Sequence, residues 1–380
     1  MTRAKKFVFR TDASLQMGSG HVMRCLTLAD ALQAQGADCH FISREHPGHL
    51  LEIIRQRGYK VNSLAVPVQT AQAAIENIVC EAPILEQEPV HAAWLGSTWQ
   101  TDAQETAAIV ASLQPDWLVV DHYALDQRWE EALASHYRKL LVIDDLADRP
   151  HCCDLLLDQN LGRQPAHYAQ CVPAQCRVLT GPQYALLRPE FAALRPYSLQ
   201  RRHEQPGLRQ LLITMGGVDQ PNATGQVLQA LKICALPADC RITVVMGLTA
   251  PWLQNVRELA AQMPWSTEVV VNVNNMAQRM ADSDLAIGAA GSTSWERCCL
   301  GLPTLMVVLA VNQQAGAQAL EAAHAARLIG TVSDIATQLP QAVRELIDSK
   351  NQSRMSLAAS AITDGRGVEK ILKTMGLLNG

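Results

Sequence analysis

The chain has 380 residues, more than one hydrophobic core usually supports, so its length predicts two domains. Its 32 Lys and Arg residues nearly balance its 36 Asp and Glu residues, which argues against a nucleic-acid-binding surface or a polybasic membrane anchor. No apolar run reaches the roughly 18 to 20 residues of a membrane span. We therefore expect a cytoplasmic monomer without a leader peptide, whose partner is a small molecule.

A glycine loop lies between the first predicted strand, residues 7–11, and a helix whose apolar residues have helical spacing from residue 22 to residue 32. Open α/β sheets bind ligands at such junctions, and the backbone at Gly18 and Gly20 suits a phosphate or carboxylate oxygen. His21 opens the helix, where the dipole favours a neutral imidazole that can accept a proton. The other interpretation is a helix-capping turn with an incidental histidine.

Strands and helices alternate through the rest of the first half, which favours a parallel sheet covered on both faces. Residues 66–101 interrupt the alternation, and we predict an irregular insertion there with one short helix between Thr70 and Cys80. Two later strands end in Asp121 and Asp144, where parallel strands present ligand groups. The predicted strands are residues 7–11, 37–42, 60–64, 116–121, 140–144 and 154–157, and the further predicted helices are residues 49–57, 102–113 and 127–136.

A polar, proline-flanked stretch from residue 196 to residue 207 lacks apolar periodicity and predicts a linker. It would separate two Rossmann-like α/β domains, residues 1–195 and 208–380, with a ligand held between them. The alternation resumes beyond it. The predicted strands are residues 211–214, 242–245, 269–271, 285–287 and 304–308, and the predicted helices are residues 223–232, 251–261, 276–281, 294–300 and 315–325.

Two loops of the second half suit a nucleotide. Gly216 and Gly217 follow its first strand, and their amides would face outward at the carboxyl end of that strand. In the later loop, the small residue Gly291 clears space for a diphosphate, and Ser292 and Thr293 offer hydroxyls.

Glu296 lies in the first turn of the helix that follows this later loop. From there it could accept hydrogen bonds from both hydroxyls of a ribose. Alternatively, it only complements the helix dipole.

An ordered set of motifs runs through the whole chain. The motifs are residues 10–13, 18–29, 121–123, 144–149, 158–160, 181–188, 216–219, 275–277, 288–297 and 312–313. Together they resemble the UDP-2,4-diacetamido-2,4,6-trideoxy-β-L-altropyranose hydrolases of pseudaminic acid biosynthesis. The resemblance implies a GT-B fold like that of the peptidoglycan N-acetylglucosaminyltransferase. It also implies removal of UDP by attack of water at the anomeric carbon with inversion, without cofactor or metal. The insertion at residues 66–101 departs from the family pattern.

The same resemblance implies several contacts with the UDP-sugar. It places Tyr123 near the sugar and makes Asn312 and Gln313 the pair that contacts the sugar from the second domain. Met276 belongs to one of the shared motifs and is expected among the substrate-binding residues.

UDP is a good leaving group, so the chemistry requires a base that orients water and donors that stabilise the diphosphate. Neutral His21 is the candidate base. Asp12 is the alternative, either as a base itself or as the carboxylate that orients His21. Arg24 lies three residues beyond His21 on the same helix face, where it could bind a phosphate or the sugar, or pair with a carboxylate as scaffold.

Two clusters could suggest a metal. We expect Asp144, Asp145 and Asp148 to form a salt-bridged scaffold with Arg149 instead of binding a cation. The eleven cysteines are scattered, which predicts reduced thiols, and the adjacent cysteine pairs lack the spacing of a zinc knuckle.

Besides a hydrolase, three functions fit these motifs. A glycosyltransferase of the same fold would pass the sugar to an acceptor. A non-catalytic sugar-nucleotide sensor would need no base, and a 2-epimerase would need two acid/base groups flanking the sugar.

Overall fold

The computed structural model describes residues 3–67, 88–248 and 250–378. The chain forms two compact units. The first unit comprises Met1–Asp158 and Arg163–Thr180, and the second comprises Gln159–Gly162 and Gly181–Gly380. Both are parallel α/β units, as the strand and helix pattern predicts.

The described part of the first unit contains a seven-stranded parallel sheet. Its strands are β1 (Lys6–Thr11), β2 (Asp38–Arg44), β3 (Lys60–Leu64), β4 (Trp117–Asp121), β5 (Lys139–Ile143), β6 (Leu155–Asp158) and β7 (Arg177–Thr180), in the order β3-β2-β1-β4-β5-β6-β7. The central strands β1, β4 and β5 are almost entirely buried, which explains their continuous apolar runs. The sequence analysis omitted β7.

Helices flank this sheet. They are α1 (Gly20–Ala34), α2 (Leu51–Gln56), α3 (Trp99–Leu113) and α4 (Gln127–Ala132), with 3₁₀ turns at Ala92–Leu95 and Pro165–Tyr168. The side chain of Thr98 accepts a hydrogen bond from the amide of Thr101, so α3 starts inside the predicted insertion. The short helix predicted between Thr70 and Cys80 lies outside the described residues.

The second unit contains a six-stranded parallel sheet in the described part of the chain. Its strands are β8 (Gln210–Thr214), β9 (Arg241–Met246), β10 (Ser266–Val271), β11 (Leu285–Ala289), β12 (Thr304–Val308) and β13 (Arg327–Thr331), in the order β10-β9-β8-β11-β12-β13. The strand β13 was not predicted.

The described part of the second unit contains more helices than the sequence analysis predicted. They are α5 (Pro189–Glu204), α6 (Ala223–Leu231), α7 (Leu253–Ala260), α8 (Met276–Asp282), α9 (Thr293–Cys299), α10 (Gln314–Ala322), α11 (Ile335–Ile347), α12 (Ser349–Ser360) and α13 (Gly367–Thr374), with 3₁₀ turns at Pro182–Tyr184, Val311–Gln313 and Val332–Asp334. The last three helices were not predicted.

The predicted linker at residues 196–207 is wrong for most of its length, because residues up to Glu204 belong to α5. This helix lies in the main segment of the second unit, Gly181–Gly380. Arg195 donates to the carbonyl of Cys299 at 2.6 Å, and the Ser198 hydroxyl donates to that of Leu300 at 2.7 Å. These contacts hold the helix against the second unit despite the proline at position 196 in its interior.

Both sheets have a topological switch point, where strands that follow each other in the sheet are far apart in the chain. These points lie between β1 and β4 and between β8 and β11. Ligands of open α/β sheets bind beyond the carboxyl ends of such strands. In the part of the chain that the structure describes, no helix is long and apolar enough to cross a membrane.

Candidate active site

The switch point of the first unit brings His21 to Asp121. Thr11, the last residue of β1, is in register with Asp121, the last residue of β4, so the two strands end side by side. Gly18 donates its amide to the carbonyl of Ser14 at 2.9 Å, which closes the turn between β1 and α1. The helix α1 then begins at Gly20, and His21 Nδ1 lies 2.6 Å from Asp121 Oδ1.

Arg24 holds the carboxylate that binds His21. Its Nε atom donates to Asp121 Oδ2 at 2.6 Å, and one terminal nitrogen donates to Oδ1 at 2.7 Å. The other terminal nitrogen lies 2.8 Å from Asp145 Oδ2. Of the roles predicted for Arg24, the structure shows the pairing with carboxylates.

The electrostatics of this group keep Asp121 ionised. Burial raises the pKa of Asp121, but the charge of Arg24 and the hydrogen bonds from Arg24 and His21 outweigh burial and hold this pKa well below its usual range. An ionised carboxylate only accepts hydrogen bonds, so His21 must donate its Nδ1 proton. Its Nε2 atom is then the basic nitrogen. Within the described ranges, no protein group forms a hydrogen bond with Nε2.

Tyr123 lies against the imidazole. The two rings meet edge to face with their centroids 4.6 Å apart, and the Tyr123 hydroxyl donates to Asp145 Oδ2 at 2.6 Å. Burial and the nearby Asp145 carboxylate raise the pKa of Tyr123 well above its usual value. Tyr123 therefore stays a neutral donor.

The insertion adds aromatic side chains to this group. The Trp94 ring is stacked on Tyr123 with centroids 5.8 Å apart, and the His91 ring lies 4.3 Å from Trp94 and 5.5 Å from Tyr123. The neighbouring Leu95 is buried in the core of the first unit, which anchors the turn. The sequence analysis assigned no role to these aromatic residues.

The prediction that Asp12 orients His21 is wrong, because Asp121 occupies that position. Asp12 is fully buried and lies towards β2 instead, where it accepts from Arg10 at 2.6 Å and from the Arg44 amide at 2.7 Å. Its Oδ2 atom is 3.3 Å from His122 Nε2. Burial raises the pKa of Asp12, but Arg10 and the nearby histidines outweigh it and hold this pKa well below its usual range.

The aspartate cluster after β5 is mainly the scaffold that its sequence predicts. Arg149 lies 2.9 Å from both Asp144 and Asp148. Asp144 also accepts hydrogen bonds from the Ala147 amide and the Tyr168 hydroxyl. Asp145 differs from the other aspartates, since it contacts Arg24 and Tyr123. In the described part of the chain, no group of three or more His, Cys, Asp or Glu residues is placed to hold a metal ion.

The switch point of the second unit brings both predicted nucleotide loops together. Gly288 of β11 is in register with Thr214 of β8, so the loops that follow these strands start side by side. Gly216 and Gly217 follow β8 directly. A Cβ atom on Gly247, just after β9, would lie 1.9 Å from the Gly217 carbonyl oxygen. Only glycine therefore fits at position 247, where the backbone of the loop after β8 packs closely against it.

Glu296 lies in the first turn of α9, with 16% of its side chain exposed. Burial raises its pKa to about 7, although the charges of Arg188 and Arg297 act in the opposite direction. Arg188 approaches Glu296 Oε1 to 3.6 Å. This carboxylate therefore changes its charge near neutral pH.

Of the other predicted contacts of the second unit, Gln313 lies beside the loop that follows β11. Gln313 accepts a hydrogen bond from the Leu309 amide at 2.9 Å, and its Nε2 atom is 3.7 Å from the position of a Cβ atom on Gly291. Asn312 is exposed, and Met276 is half-buried at the first residue of α8. The remaining loop residues are the exposed Ser292 and the half-buried Thr293, which begins α9.

Comparisons with known proteins show what the whole chain resembles. Residues 211–374 match the glycosyltransferase family 28 C-terminal domain. The chain is also similar to the UDP-2,4-diacetamido-2,4,6-trideoxy-β-L-altropyranose hydrolase of Campylobacter jejuni, at 24% identity over 82% of this chain and 94% of that protein. The resemblance predicted from the motifs is thereby confirmed.

Two further matches extend the comparison. An uncharacterized protein of Methanocaldococcus jannaschii is 24% identical over 81% of this chain, and the match spans only 56% of that protein's length. The crystal structure of MurG from Acinetobacter baumannii superimposes with a TM-score of 0.68 at 15% identity, covering 98% of this chain and 100% of MurG. This likeness confirms the GT-B fold.

Proposed function

We propose that this protein is a nucleotide-sugar hydrolase that removes UDP from UDP-2,4-diacetamido-2,4,6-trideoxy-β-L-altropyranose, as the similar Campylobacter protein is named to do. Water attacks the anomeric carbon and the configuration inverts. The reaction would serve pseudaminic acid biosynthesis. The observation that carries the proposal is the His21 and Asp121 pair, because a pure binding module needs no oriented base.

In the proposed mechanism, Asp121 accepts a hydrogen bond from His21 Nδ1–H, which leaves Nε2 unprotonated and able to take a proton from water. As the imidazole becomes positive, the ionised Asp121 stabilises it, and Arg24 keeps that carboxylate in place. Asp12 is not proposed as the base, since its carboxylate is fully buried and already paired with Arg10.

We assign the nucleotide to the second unit. The loops after β8 and β11 would hold the diphosphate, with Ser292 and Thr293 as hydroxyl donors. Glu296, when ionised, would accept hydrogen bonds from the two ribose hydroxyls. Gln313, which lies beside Gly291, supports a contact near the sugar, and Asn312 and Met276 are assigned to the substrate by the family resemblance.

A glycosyltransferase is the second candidate. It is favoured by the match of residues 211–374 to a glycosyltransferase domain and by the MurG-like fold. Such an enzyme would transfer the sugar to an acceptor and would release none into water.

The deciding experiment supplies the UDP-linked diacetamido sugar in water enriched in oxygen-18. A hydrolase acting at the anomeric carbon puts the heavy oxygen on the released sugar. Heavy oxygen on UDP or UMP would mean attack at phosphorus. No release without an added acceptor would favour the transferase.

The same assay tests the base with His21→Asn. Removing a general base costs about a hundredfold to ten-thousandfold in rate. His122→Asn is the matched control, because it removes a neighbouring buried histidine that contacts Asp12 and not Asp121. Turnover by His21→Asn within a few fold of the wild type would reject His21 as the base.

A further inference from the structure

Arg297 is a buried cation that contacts no carboxylate directly in the described part of the chain. Its side chain lies beneath the loop that follows β11, and the residue is 1% exposed. It donates to the Ala289 carbonyl at 2.7 Å, to Ser294 Oγ at 3.0 Å and to Thr293 Oγ1 at 3.1 Å. All three acceptors are neutral.

The other arginines buried in the described part of the chain differ in this respect. Arg10, Arg24, Arg44 and Arg149 each lie within 3 Å of at least one carboxylate oxygen. Within the described residues, no carboxylate oxygen lies within 4 Å of the Arg297 guanidinium, and its Nε atom has no hydrogen-bond partner. A buried charge is costly unless an opposite charge compensates it.

The charge persists in the folded protein. Burial lowers the pKa of Arg297 to about 10, which still leaves the guanidinium protonated at neutral pH. Its position is also tightly fixed. A Cβ atom on Gly288 would lie 2.6 Å from the Arg297 terminal nitrogen NH1 and 3.0 Å from the Thr214 carbonyl oxygen, so only glycine leaves room for the guanidinium.

Arg297 also determines how Thr293 can bond. Because the guanidinium only donates, Thr293 Oγ1 must accept from it. The hydroxyl proton of Thr293 is then available to a ligand atom that accepts. Phosphate oxygens are acceptors that carry the negative charge that the buried cation lacks.

We propose that Arg297 is a positioning residue whose counter-charge is the diphosphate of the bound nucleotide. Arg297 lies behind the loop that follows β11, and its charge attracts the phosphate anion on the other side of that loop. Its hydrogen bond to Thr293 orients the Thr293 hydroxyl to donate to a phosphate oxygen. This inference rests on the proposed function, because it assumes that UDP binds at the loop after β11.

The test compares UDP with uridine, which has the same base and ribose but no phosphate. Affinities of wild type and Arg297→Gln are measured by calorimetry at about pH 8.5. At that pH Glu296, whose pKa is about 7, is ionised in the wild type, and Arg297 is still charged. We expect Arg297→Gln to weaken UDP binding by about tenfold or more, which is the effect of losing one charge-assisted hydrogen bond such as that from Thr293 to a phosphate oxygen. Uridine binding should change by less than about threefold.

Arg279→Gln is the matched control, since it removes a cation of the same unit that pairs with Glu268 at the surface. It should leave both affinities unchanged. A parallel loss of UDP and uridine binding in Arg297→Gln would show a merely structural role and overturn the inference, as would no loss of either. A wild type that does not bind UDP would instead overturn the proposed function.

Further variants keep the test decisive if Arg297→Gln does not fold. Arg297→Lys retains the cation and should keep the preference for UDP over uridine within about threefold. Gly288→Ala should displace the guanidinium and lower that preference. A folded lysine variant whose preference falls tenfold, or a folded alanine variant whose preference is unchanged, would contradict the proposal.

Discussion

Replacing Asp121 by Asn tests the proposed base most directly, because Asp121 is the carboxylate in contact with His21. An asparagine can present its amide NH₂ to Nδ1 and thereby place the imidazole proton on Nε2, where it blocks proton acceptance. The equivalent change in a Ser-His-Asp triad lowers kcat about ten-thousandfold. We expect a fall in kcat of about a thousandfold to ten-thousandfold here.

The same substitution should also destabilise the first unit. It removes one partner of a buried ion pair, for which about 3 to 5 kcal/mol is typical. Arg24 keeps Asp145 at 2.8 Å, so we expect the lower end, which corresponds to a fall in Tm of about 6 to 12 °C.

This contribution should not vary over the assay range. Because the pKa of Asp121 is held well below its unfolded value, its stabilisation is fully present above about pH 4 and is lost only as the pH falls further.

The assay is UDP release at 25 °C, with thermal unfolding and UDP affinity measured on the same samples. Asp145→Asn is the matched control, because it removes the other carboxylate of Arg24 and the acceptor of Tyr123 but leaves His21 and Asp121 in contact. We expect its kcat to fall by no more than about tenfold. Equal losses in the two folded variants would refute the assignment of Asp121 to His21.

Three further predictions concern the nucleotide, the aromatic residues and metal dependence. UDP affinity should fall by up to about tenfold per pH unit below about pH 7 as Glu296 protonates, and calorimetry should find this dependence absent in Glu296→Gln. Trp94→Ala removes the ring stacked on Tyr123 and should lower kcat/KM for the sugar nucleotide with UDP affinity unchanged, whereas Trp94→Phe should retain most of it; equal losses would contradict the stacking role. Turnover should persist in excess EDTA, because loop donors and Arg297 supply the positive charge, and activity that only magnesium or manganese restores would count against this.

The local sequence pattern predicted the position of His21 in the fold but not its contact with Asp121. The strand, glycine turn and helix around His21 are contiguous, and their pattern predicts the junction where the structure places it. Asp121 was recognised only as a residue at the end of a strand, because the pairing of β1 with β4 joins segments about a hundred residues apart. Asp12 was the alternative base or orienting carboxylate, yet its carboxylate bonds to the amide of Arg44 on the opposite neighbour, β2.

The second unit shows where local patterns mislead. Pro196 and the polar residues after it were interpreted as a linker, although Pro189 in the first turn is a typical helix start. The contacts that hold this helix are carbonyls of distant residues such as Leu300, which no local pattern reports. The apolar spacing from Ile335 to Leu346, by contrast, is helical and could have been detected.

The two switch points differ in the charge beside the proposed functional groups: a carboxylate contacts His21 in the first unit, and a cation lies behind the loop after β11 in the second. This difference suits the two units to different parts of the proposed reaction. In the first unit the proposed base, His21, contacts an ionised carboxylate, which would favour a protonated imidazole in the transition state and disfavour a diphosphate at the same place. In the second unit Arg297 places a buried positive charge behind a loop in which Thr293 can still donate its hydroxyl proton, which favours an anion. The same strand order thus supports water activation in one unit and nucleotide binding in the other. Because these functions depend on separate side chains, substitutions at His21 should change turnover and those at Arg297 should change UDP affinity.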